Sequence, residues 1–361
     1  MNDPITLVYH PGRVQQWLSA QHNIAGLSEV YPIFVEISLV GSCNHHCAFC
    51  YLDYASNKPV RLDAMLLQKR IEEMARLGVK AILFSGEGEP LLHRKIAGIV
   101  ETANQHDIAV AFQSNAVNMD DEFIETVLPK THEFVAAINA GTPGTYSKIH
   151  NTKPQDFNLV VGQLKKAIRF RQQTNANFKI GAQCVLLPNN ANEMERLALV
   201  CRDDIGLDFL RVNAHWQNQK SLNRDFANID YLPFLAVEKK LAKLGNDRFS
   251  INFSSTILQK ARTESKKPYD RCHATPHFWA YIMADGSVYG CNQYLGDDRF
   301  KYGNINYDDF QSIWQSQRRQ QAIDFMRENF SLDNCPVHCK MDAVNNYLET
   351  ILRPNQSHGF L

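Results

Sequence analysis

The sequence predicts an α/β protein in which parallel strands form an open or closed barrel, followed by a smaller α+β unit. Two observations predict this class. Over roughly the first 230 residues, strand-like runs alternate with amphipathic helical stretches, as in parallel strands joined by right-handed helical crossovers. After about Leu232 this rhythm breaks, and a hairpin followed by helices takes its place.

Six strand-like runs occur in the first part. They are IFVEISLV from Ile33, KAILFSG from Lys80, IAVAFQS from Ile108, FVAAIN from Phe134, FKIGAQCVLL from Phe178 and LDFLRVN from Leu207. Between them lie helical patterns such as LDAMLLQKRIEEMARLG, which stops at Gly78 as helices often do. Because loops after the carboxyl ends of such strands build active sites, these strand ends are the places to search for function.

The second part begins with a helical FLAVEKKLAKLG, a strand-like FSINFSS and the polar connector ESKKPYDRC. A hairpin is predicted over FWAYIMADGSVYGC, with Asp285 and Gly286 as its turn. One helix is expected around DDFQSIWQSQRRQQAIDFMREN and another around DAVNNYLETIL. We therefore divide the chain into a barrel at 1–235, a connector at 236–268 and an accessory unit at 269–361.

Composition excludes several classes of function. The 361 residues are more than one compact domain usually needs, and the 38 basic residues balance the 38 acidic ones. No basic block marks a surface for nucleic acid or anionic membrane. The N-terminus lacks a signal-peptide pattern, and no apolar run is long enough to span a bilayer. We expect a cytoplasmic protein whose nine cysteines are metal ligands rather than disulfides.

Three cysteines lie within eight residues just after the first strand: Cys43, Cys47 and Cys50. Structural zinc sites usually close with four ligands in two separated pairs, which this loop does not match. A cubane iron–sulfur cluster held by three thiolates keeps one iron open for an exchangeable ligand. A zinc loop completed by His45 or His46 is the alternative.

The pattern Cys-x3-Cys-x-aromatic-Cys after the first strand of an α/β barrel resembles the radical S-adenosylmethionine (SAM) enzymes, whose core is a partial (β/α)6 barrel. The resemblance implies that SAM chelates the open iron of a [4Fe–4S] cluster. One electron, supplied by a flavodoxin- or ferredoxin-type partner, then yields a 5'-deoxyadenosyl radical that removes a hydrogen atom from substrate. Phe49 would pack against the adenine of SAM.

Other strand ends extend the resemblance. SGEGEP is similar to the Gly-Gly-Glu-Pro segment that holds the SAM amino group, with Glu87 where the first motif glycine usually stands. QSN, at 113–115, occupies the place of ribose contacts, and ordinary turn or strand-end roles are the alternative for each polar residue. The resemblance implies cofactor contacts by Ser85, Gly86, Glu87, Gly88, Glu89, Pro90, Ser114, Asn115, Gln183 and either Val212 or Asn213.

A second cysteine set lies in the accessory unit. Cys272 and Cys291 bracket the hairpin, with Gly286 five positions before Cys291, and Cys335 and Cys339 form CPVHC. This arrangement resembles the SPASM or Twitch auxiliary-cluster domains, and it implies four ligands for one further [4Fe–4S] cluster. A structural zinc site is the alternative, because four thiolates suit zinc as well. Either metal is expected to be needed for folding of so short a segment.

Two cysteines remain, Cys184 and Cys201. Strand alternation places Cys184 opposite Gln183, away from the barrel interior, and Cys201 shares a helical stripe with Met194 and Leu197. We expect both to be core residues. Without a thiol to return a hydrogen atom, a dehydrogenation is favoured over an epimerisation, with the auxiliary cluster as acceptor of the second electron.

The substrate is the least defined part of the prediction. Polar candidates near the cavity mouth are Tyr51, Asp53, Asn139, His215 and Trp216, which suit a small sugar, aminocyclitol or nucleotide-linked sugar. The alternatives are a peptide-modifying maturase or epimerase and a non-catalytic metal-binding scaffold. Only 42 residues precede Cys43, fewer than a typical N-terminal leader-binding module, so a maturase is expected to use a separate leader-binding partner.

Overall fold

The computed structural model of the chain describes residues 6–21, 24–254, 257, 267–335 and 339–353. Its centre is one ten-stranded sheet with the order β10-β9-β8-β1-β2-β3-β4-β5-β6-β7. The strands are β1 Phe34–Ile37, β2 Ala81–Phe84, β3 Ala109–Ser114, β4 Glu133–Ala137, β5 Lys179–Leu186, β6 Phe209–Ala214, β7 Ser250–Phe253, β8 Trp279–Ile282, β9 Ser287–Tyr289 and β10 Lys301–Asn304. Each of the six predicted strands is present.

Helices cover the outer face of the sheet and both ends of the described chain. The α-helices are α1 Pro11–Ser19, α2 Ile24–Ser28, α3 Ala64–Arg76, α4 Ile96–Gln105, α5 Asp121–Thr126, α6 Pro143–His150, α7 Pro154–Thr174, α8 Met194–Leu199, α9 Leu235–Leu241, α10 Ala274–His277, α11 Phe310–Trp314, α12 Gln317–Glu328 and α13 Asp342–Leu352. Several short 3₁₀ turns and one π-helical turn, Val200–Ile205, complete the elements. None of the helices in these described ranges is long and apolar enough to cross a membrane.

Strands β1 to β7 pair in parallel and in chain order, which is the arrangement that helical crossovers produce. Along each strand, successive side chains point alternately to the helices and to the barrel interior. Val35, Ile82, Val110 and Phe134 face the helices and belong to one buried core. The side chains at the alternate positions, which include Glu36 and Gln183, therefore point into the barrel.

The accessory hairpin is built onto the same sheet. β8 pairs in parallel with β1, so that Glu36 is opposite Tyr281, and β9 returns antiparallel to β8. Gly286 has φ +83° in the hairpin turn, a conformation that favours glycine, as the Asp-Gly signal predicts. The barrel and the accessory unit therefore share a continuous hydrogen-bonded sheet.

Three features differ from the sequence-based expectation. Ser250–Phe253, within the strand-like FSINFSS, forms β7 at the edge of the main sheet, inside the range 236–268 that the sequence analysis treats as a connector. The long helix expected after Asp308 is two helices, because Ser316 accepts a hydrogen bond from the Arg319 amide and starts a second helix there. Strand β10 and the N-terminal helices α1 and α2 lacked a recognised signal.

Candidate metal centres

The three-cysteine loop is fixed by the end of helix α6. His46 N–H donates to the His150 carbonyl (3.1 Å), and Ala48 N–H donates to the Ile149 carbonyl (2.9 Å). The last carbonyls of a helix have no partner within the helix, so the loop supplies donors that these groups need. Asn151 then ends the helix with φ +47°, a left-handed conformation that asparagine tolerates. The path of the loop is thus determined by α6.

The three thiols form a donor set that fits an iron–sulfur cluster. All three are half-buried and none is in a disulfide. Burial raises the pKa of Cys43 to about 12 and that of Cys50 to about 11. Burial, and then the charges of Cys50 and Cys43, raises the pKa of Cys47. Because each thiolate opposes the ionisation of its neighbours, a soft cationic centre is what would stabilise three thiolates here.

His45 offers an alternative ligand set. One of its ring nitrogens, the Cys47 sulfur and one ring nitrogen of His150 lie within 4.8 Å of one another. The His45 ring is buried 3.4 Å from the Asp156 carboxylate, whereas His46 is exposed. A zinc loop would therefore use His45 rather than His46, and it would compete with the three-cysteine cluster for Cys47.

The SGEGEP segment lies beside this loop as expected, but its two carboxylates have different surroundings. Gly88 approaches the Val40 carbonyl so closely that a Cβ would be 2.0 Å from it, and Glu89 N–H donates to the Ser42 carbonyl (2.9 Å). Glu87 turns away from the loop and accepts hydrogen bonds from Tyr281 Oη (3.0 Å) and the Ala284 amide (2.8 Å). It therefore holds the accessory hairpin, and its contact with the cofactor stays a prediction.

Glu89 is buried under strand β3. Its carboxylate accepts hydrogen bonds from Ser114 Oγ (2.6 Å) and from the amides of Asn115 (2.8 Å) and Leu91 (3.0 Å). Burial raises the pKa of Glu89, and these donors oppose that shift. The first turn after it begins at Pro90. The network fixes the ends of β2 and β3 relative to each other, beside the three-cysteine loop.

The other predicted cofactor residues lie on different faces of their strands. Gln183 Oε1 accepts a hydrogen bond from Gln113 (3.2 Å) inside the barrel. Val212 is fully buried in the core against the helices, so Asn213 is the one of that pair on the interior face. Ser85 Oγ donates to Glu36 (2.7 Å), and Gly86 has φ +134° with Tyr281 directly against it. Ser85 and Gly86 thus also contact the barrel wall and the accessory strand.

Phe49 packs at the edge of the loop. Its ring meets the His150 ring edge to face, with 5.7 Å between the centroids, and it joins an apolar cluster with Ile149, Leu187 and Phe226. The ring is half-buried, so one part of it is accessible beside the cysteines. This position is compatible with the predicted adenine contact.

The substrate-side candidates are only partly brought together. Tyr51 stacks on Trp216 with 6.4 Å between ring centroids, and burial raises its pKa. The Asp53 carboxylate is occupied by hydrogen bonds within the chain. It accepts them from Ser221 Oγ and from the Leu222 amide, both at 2.9 Å. It anchors the loop after β6, and its contact with substrate stays a prediction.

Asn139 and His215 are buried rather than exposed at a cavity mouth. Asn139 Oδ1 accepts a hydrogen bond from the Val185 amide (2.7 Å), and its Nδ2 lies 3.1 Å from the His150 ring. The His215 backbone amide donates to Tyr231 Oη (2.6 Å), and its ring packs against Phe226. Both residues support the walls of the site.

The accessory cysteines also converge. Asn345 Nδ2 lies 3.5 Å from Cys272 Sγ, and the Met341 amide lies 3.5 Å from Cys339 Sγ. Burial, and then the charge of Cys339, raises the pKa of Cys291. Burial, and then the charge of Cys272, raises the pKa of both Cys335 and Cys339 to about 12. Charge interactions among these four cysteines, with N–H donors beside Cys272 and Cys339, fit a fully ligated cluster.

An ion pair that the sequence analysis did not find joins the accessory unit to the barrel interior. Lys340, next to Cys339, places its Nζ 2.5 Å from Glu36 Oε2 and over the ring of Trp279 at 4.4 Å. Glu36 lies inside the barrel on β1 and is only 3 % exposed. The sequence signal for this pair was the glutamate within the apolar run IFVEISLV. Strand alternation places its charge on the face of β1 that points into the barrel.

Comparison with known proteins agrees with this geometry. Residues 37–199 match the model of the radical SAM superfamily, and residues 272–340 match the SPASM model of an iron–sulfur cluster-binding domain. The chain is therefore a radical SAM enzyme. It belongs among those that carry a C-terminal auxiliary-cluster domain, and it uses SAM with a SAM-binding [4Fe–4S] cluster and an auxiliary cluster.

Two curated proteins and one solved structure illustrate the similarity. The tungsten-containing aldehyde ferredoxin oxidoreductase cofactor-modifying protein of Pyrococcus furiosus is 18% identical, covering 88% of this chain and 90% of its own length. The sporulation killing factor maturation protein SkfB of Bacillus subtilis is 24% identical over 80% of this chain and 66% of its own. SuiB of Streptococcus suis, bound to precursor peptide SuiA, has a TM-score of 0.66 at 14% identity and covers 94% of this chain and 78% of its own.

Proposed function

We propose that this enzyme modifies a peptide, using the 5'-deoxyadenosyl radical to remove a hydrogen atom from a residue held between the two metal centres. The observation that carries the proposal is the similarity to the maturation protein SkfB over 80% of the chain. The likeness to SuiB, solved with a precursor peptide, supports it further. The small sugar or aminocyclitol expected from the sequence has no such support, and the alternative of a peptide maturase fits better.

In this proposal the seven ligand cysteines form two metal centres. Cys43, Cys47 and Cys50 hold the cluster that binds SAM, whose chemistry is the one-electron cleavage of the sulfonium bond. Cys272, Cys291, Cys335 and Cys339 ligate the auxiliary cluster fully, so no iron there is open to substrate. Bound there, the cluster would supply an acceptor for the second electron of a two-electron oxidation, with the accompanying proton released to solvent.

Aromatic residues lie beside both cysteine sets. Tyr51 stacks on Trp216 next to the three-cysteine loop, and Lys340, next to Cys339, lies over the buried ring of Trp279. Cys184 and Cys201 are fully buried in the helix-facing core, on the side of the strands away from the barrel interior. Since neither thiol can return a hydrogen atom, we propose an oxidation such as bond formation or dehydrogenation rather than an epimerisation.

The test is co-expression with any short open reading frame that neighbours the gene. A peptide that loses the mass of two hydrogens only with the active enzyme supports the proposal. The control is the triple variant Cys43→Ala, Cys47→Ala, Cys50→Ala, which should lose roughly half of the about eight irons expected for two cubane clusters and all SAM cleavage. Unmodified peptides together with turnover of a small cofactor would refute the peptide assignment.

Deuterated water distinguishes the type of reaction. In an oxidation, the substrate carbon gives up its hydrogen to 5'-deoxyadenosine and acquires none from solvent. Deuterium at a substrate carbon that disappears in Cys184→Ala or Cys201→Ala would establish an epimerisation instead. Mass spectrometry of the peptide product separates these outcomes.

A further inference from the structure

His150 contacts the three-cysteine loop from behind. It is the last residue of α6, only 1 % exposed, with Nδ1 3.3 Å from the sulfur of Cys47 and Nε2 3.1 Å from Nδ2 of Asn139. Neither ring nitrogen is in contact with solvent at this depth. The protonation of each nitrogen is therefore determined by its protein neighbour.

Asn139 determines which ring nitrogen carries the proton. Its Oδ1 accepts a hydrogen bond from the backbone amide of Val185 (2.7 Å), and a backbone amide can only donate. The other end of the side chain must then be the amide nitrogen, which donates to Nε2 of His150. Because Nε2 accepts, the neutral imidazole carries its hydrogen on Nδ1, and that hydrogen is directed at Cys47.

The ring is held rigidly in this orientation. Tyr146 stacks on it with 4.1 Å between centroids, and the rings of His45 and Phe49 contact it edge to face. The backbone carbonyl of His150 also accepts the hydrogen bond from His46 that fixes the loop. Ring packing and this backbone contact thus keep Nδ1 near the sulfur of Cys47.

We propose that His150 is a positioning residue that donates an N–H···S hydrogen bond to the cluster ligand Cys47 and raises the reduction potential of the SAM-binding cluster. A reduced cluster places more negative charge on its sulfurs than an oxidised one. A donor to a ligand sulfur therefore stabilises the reduced state more, and hydrogen bonds to sulfur are one of the determinants of cluster potential. The bond makes the cluster easier to reduce before SAM is cleaved.

Substitutions at His150 test the direction of this effect. In His150→Phe an aromatic ring remains and the hydrogen-bond donor is lost. At a fixed solution potential, the ratio of reduced to oxidised cluster should therefore fall about tenfold, which corresponds to a decrease of about 59 mV in the one-electron reduction potential. His150→Asn restores an N–H near the position of Nδ1 and should recover most of the shift. Tyr146→Phe is the matched control, because the Tyr146 hydroxyl has no hydrogen-bond partner among the described residues.

The measurement is a redox titration of the holoenzyme without SAM, followed by electron paramagnetic resonance. The auxiliary cluster is an internal reference whose potential should not move. A three-cysteine cluster that is fully loaded and keeps its potential in His150→Phe would overturn the proposal.

A second measurement leaves His150 unchanged and covers the case in which His150→Phe loses its cluster. Wild-type enzyme and His45→Phe, each with ¹⁵N only in its histidine rings, are reduced and studied by pulsed electron paramagnetic resonance. A weak nitrogen coupling that persists in His45→Phe, as expected for N–H···S contact from His150, supports the proposal, because His45 is the other histidine whose ring lies near Cys47. A strong coupling would make a histidine a direct ligand, and no coupling would exclude the bond; either result refutes it.

The inference depends on the proposed assignment of Cys47 as a ligand. Failure of that assignment has its own signature, because Cys47→Ala would then keep a complete three-cysteine-loop cluster. Loss of the cluster in Cys47→Ala together with an unchanged potential in His150→Phe would reject the hydrogen bond alone.

Discussion

Lys340 and Glu36 are the charged pair through which the auxiliary centre contacts the barrel interior. Glu36 is nearly fully buried, while about a third of the Lys340 side chain, 34%, is exposed. Ser85 donates to the other carboxylate oxygen, so both oxygens of Glu36 have a partner. A buried carboxylate that loses its cation is costly, because desolvation is then uncompensated.

Lys340→Met should therefore lower the free energy of unfolding by about 2 kcal/mol, less than a fully buried pair because Lys340 is partly exposed. Adding Glu36→Gln should recover part of this loss, since the neutral amide needs no cation. Melting temperatures of the wild type, the two single variants and the double variant, all measured anaerobically, form a double-mutant cycle. Strictly additive losses would contradict a direct pair.

Cys184 and Cys201 illustrate thiols that belong to the core. Both are fully buried, and the sulfur of Cys184 lies 3.7 Å from that of Met194. Burial raises the pKa of both thiols, which keeps them neutral.

We expect Cys184→Ala and Cys201→Ala each to cost about 1 kcal/mol in the free energy of unfolding, the effect of removing a small buried group. SAM cleavage and iron content should be unchanged. Anaerobic thermal unfolding and iron analysis check this prediction. Loss of iron from either variant would show that the thiol is a ligand after all.

At the scale of elements, the loop after β6 is attached to the three-cysteine loop by Asp53. Both carboxylate oxygens accept the Leu222 amide, and the Asn223 amide donates to one of them at 2.8 Å. Hydrogen bonds to a charged acceptor are among the stronger ones in proteins. Two loops on opposite sides of the barrel mouth are thereby joined.

Asp53→Ala should release this loop and destabilise the protein by about 2 kcal/mol, because two backbone amides lose a charged acceptor. Hydrogen exchange should accelerate over residues 221–223 while the α6 segment keeps its protection. Ser56→Ala is the control: it removes a hydrogen bond to the Asp53 carbonyl and leaves the carboxylate intact. Equal exchange in both variants would argue against the anchoring role.

At the scale of the whole molecule, the accessory unit completes the main sheet. β8 covers the free edge of β1, and Glu87 on the barrel accepts hydrogen bonds from Tyr281 and Ala284 of the hairpin. An uncovered edge strand exposes unpaired backbone groups and invites aggregation. The barrel therefore depends on the hairpin as well as on its own helices.

A chain that ends at residue 268 should aggregate and retain no SAM cleavage, because β1 loses its neighbour and the three-cysteine loop follows β1. Cys335→Ala is the matched comparison, since it removes an auxiliary ligand and keeps β8 paired. We expect this variant to retain measurable SAM cleavage while losing the oxidised product. A truncated chain that is monodisperse and active would contradict the structural dependence.

The sequence by itself determined the strand–helix rhythm, the six barrel strands, the hairpin turn and the two cysteine sets. These features are encoded locally, by hydrophobic periodicity, turn residues and spacing within one segment. The radical SAM resemblance depends on the same short segments. Periodicity also placed Cys184 in the core, because parity along one strand is a local property.

Only the tertiary structure decided which distant residues meet. Glu36 meets Lys340 across 304 positions, and Cys47 meets His150 across 103. Glu87, on a barrel loop, supports a hairpin 197 residues later. Such pairs depend on register between strands and on the direction of a helix end. Neither is written in the spacing of any single segment, which is the physical reason that the sequence alone could not reveal them.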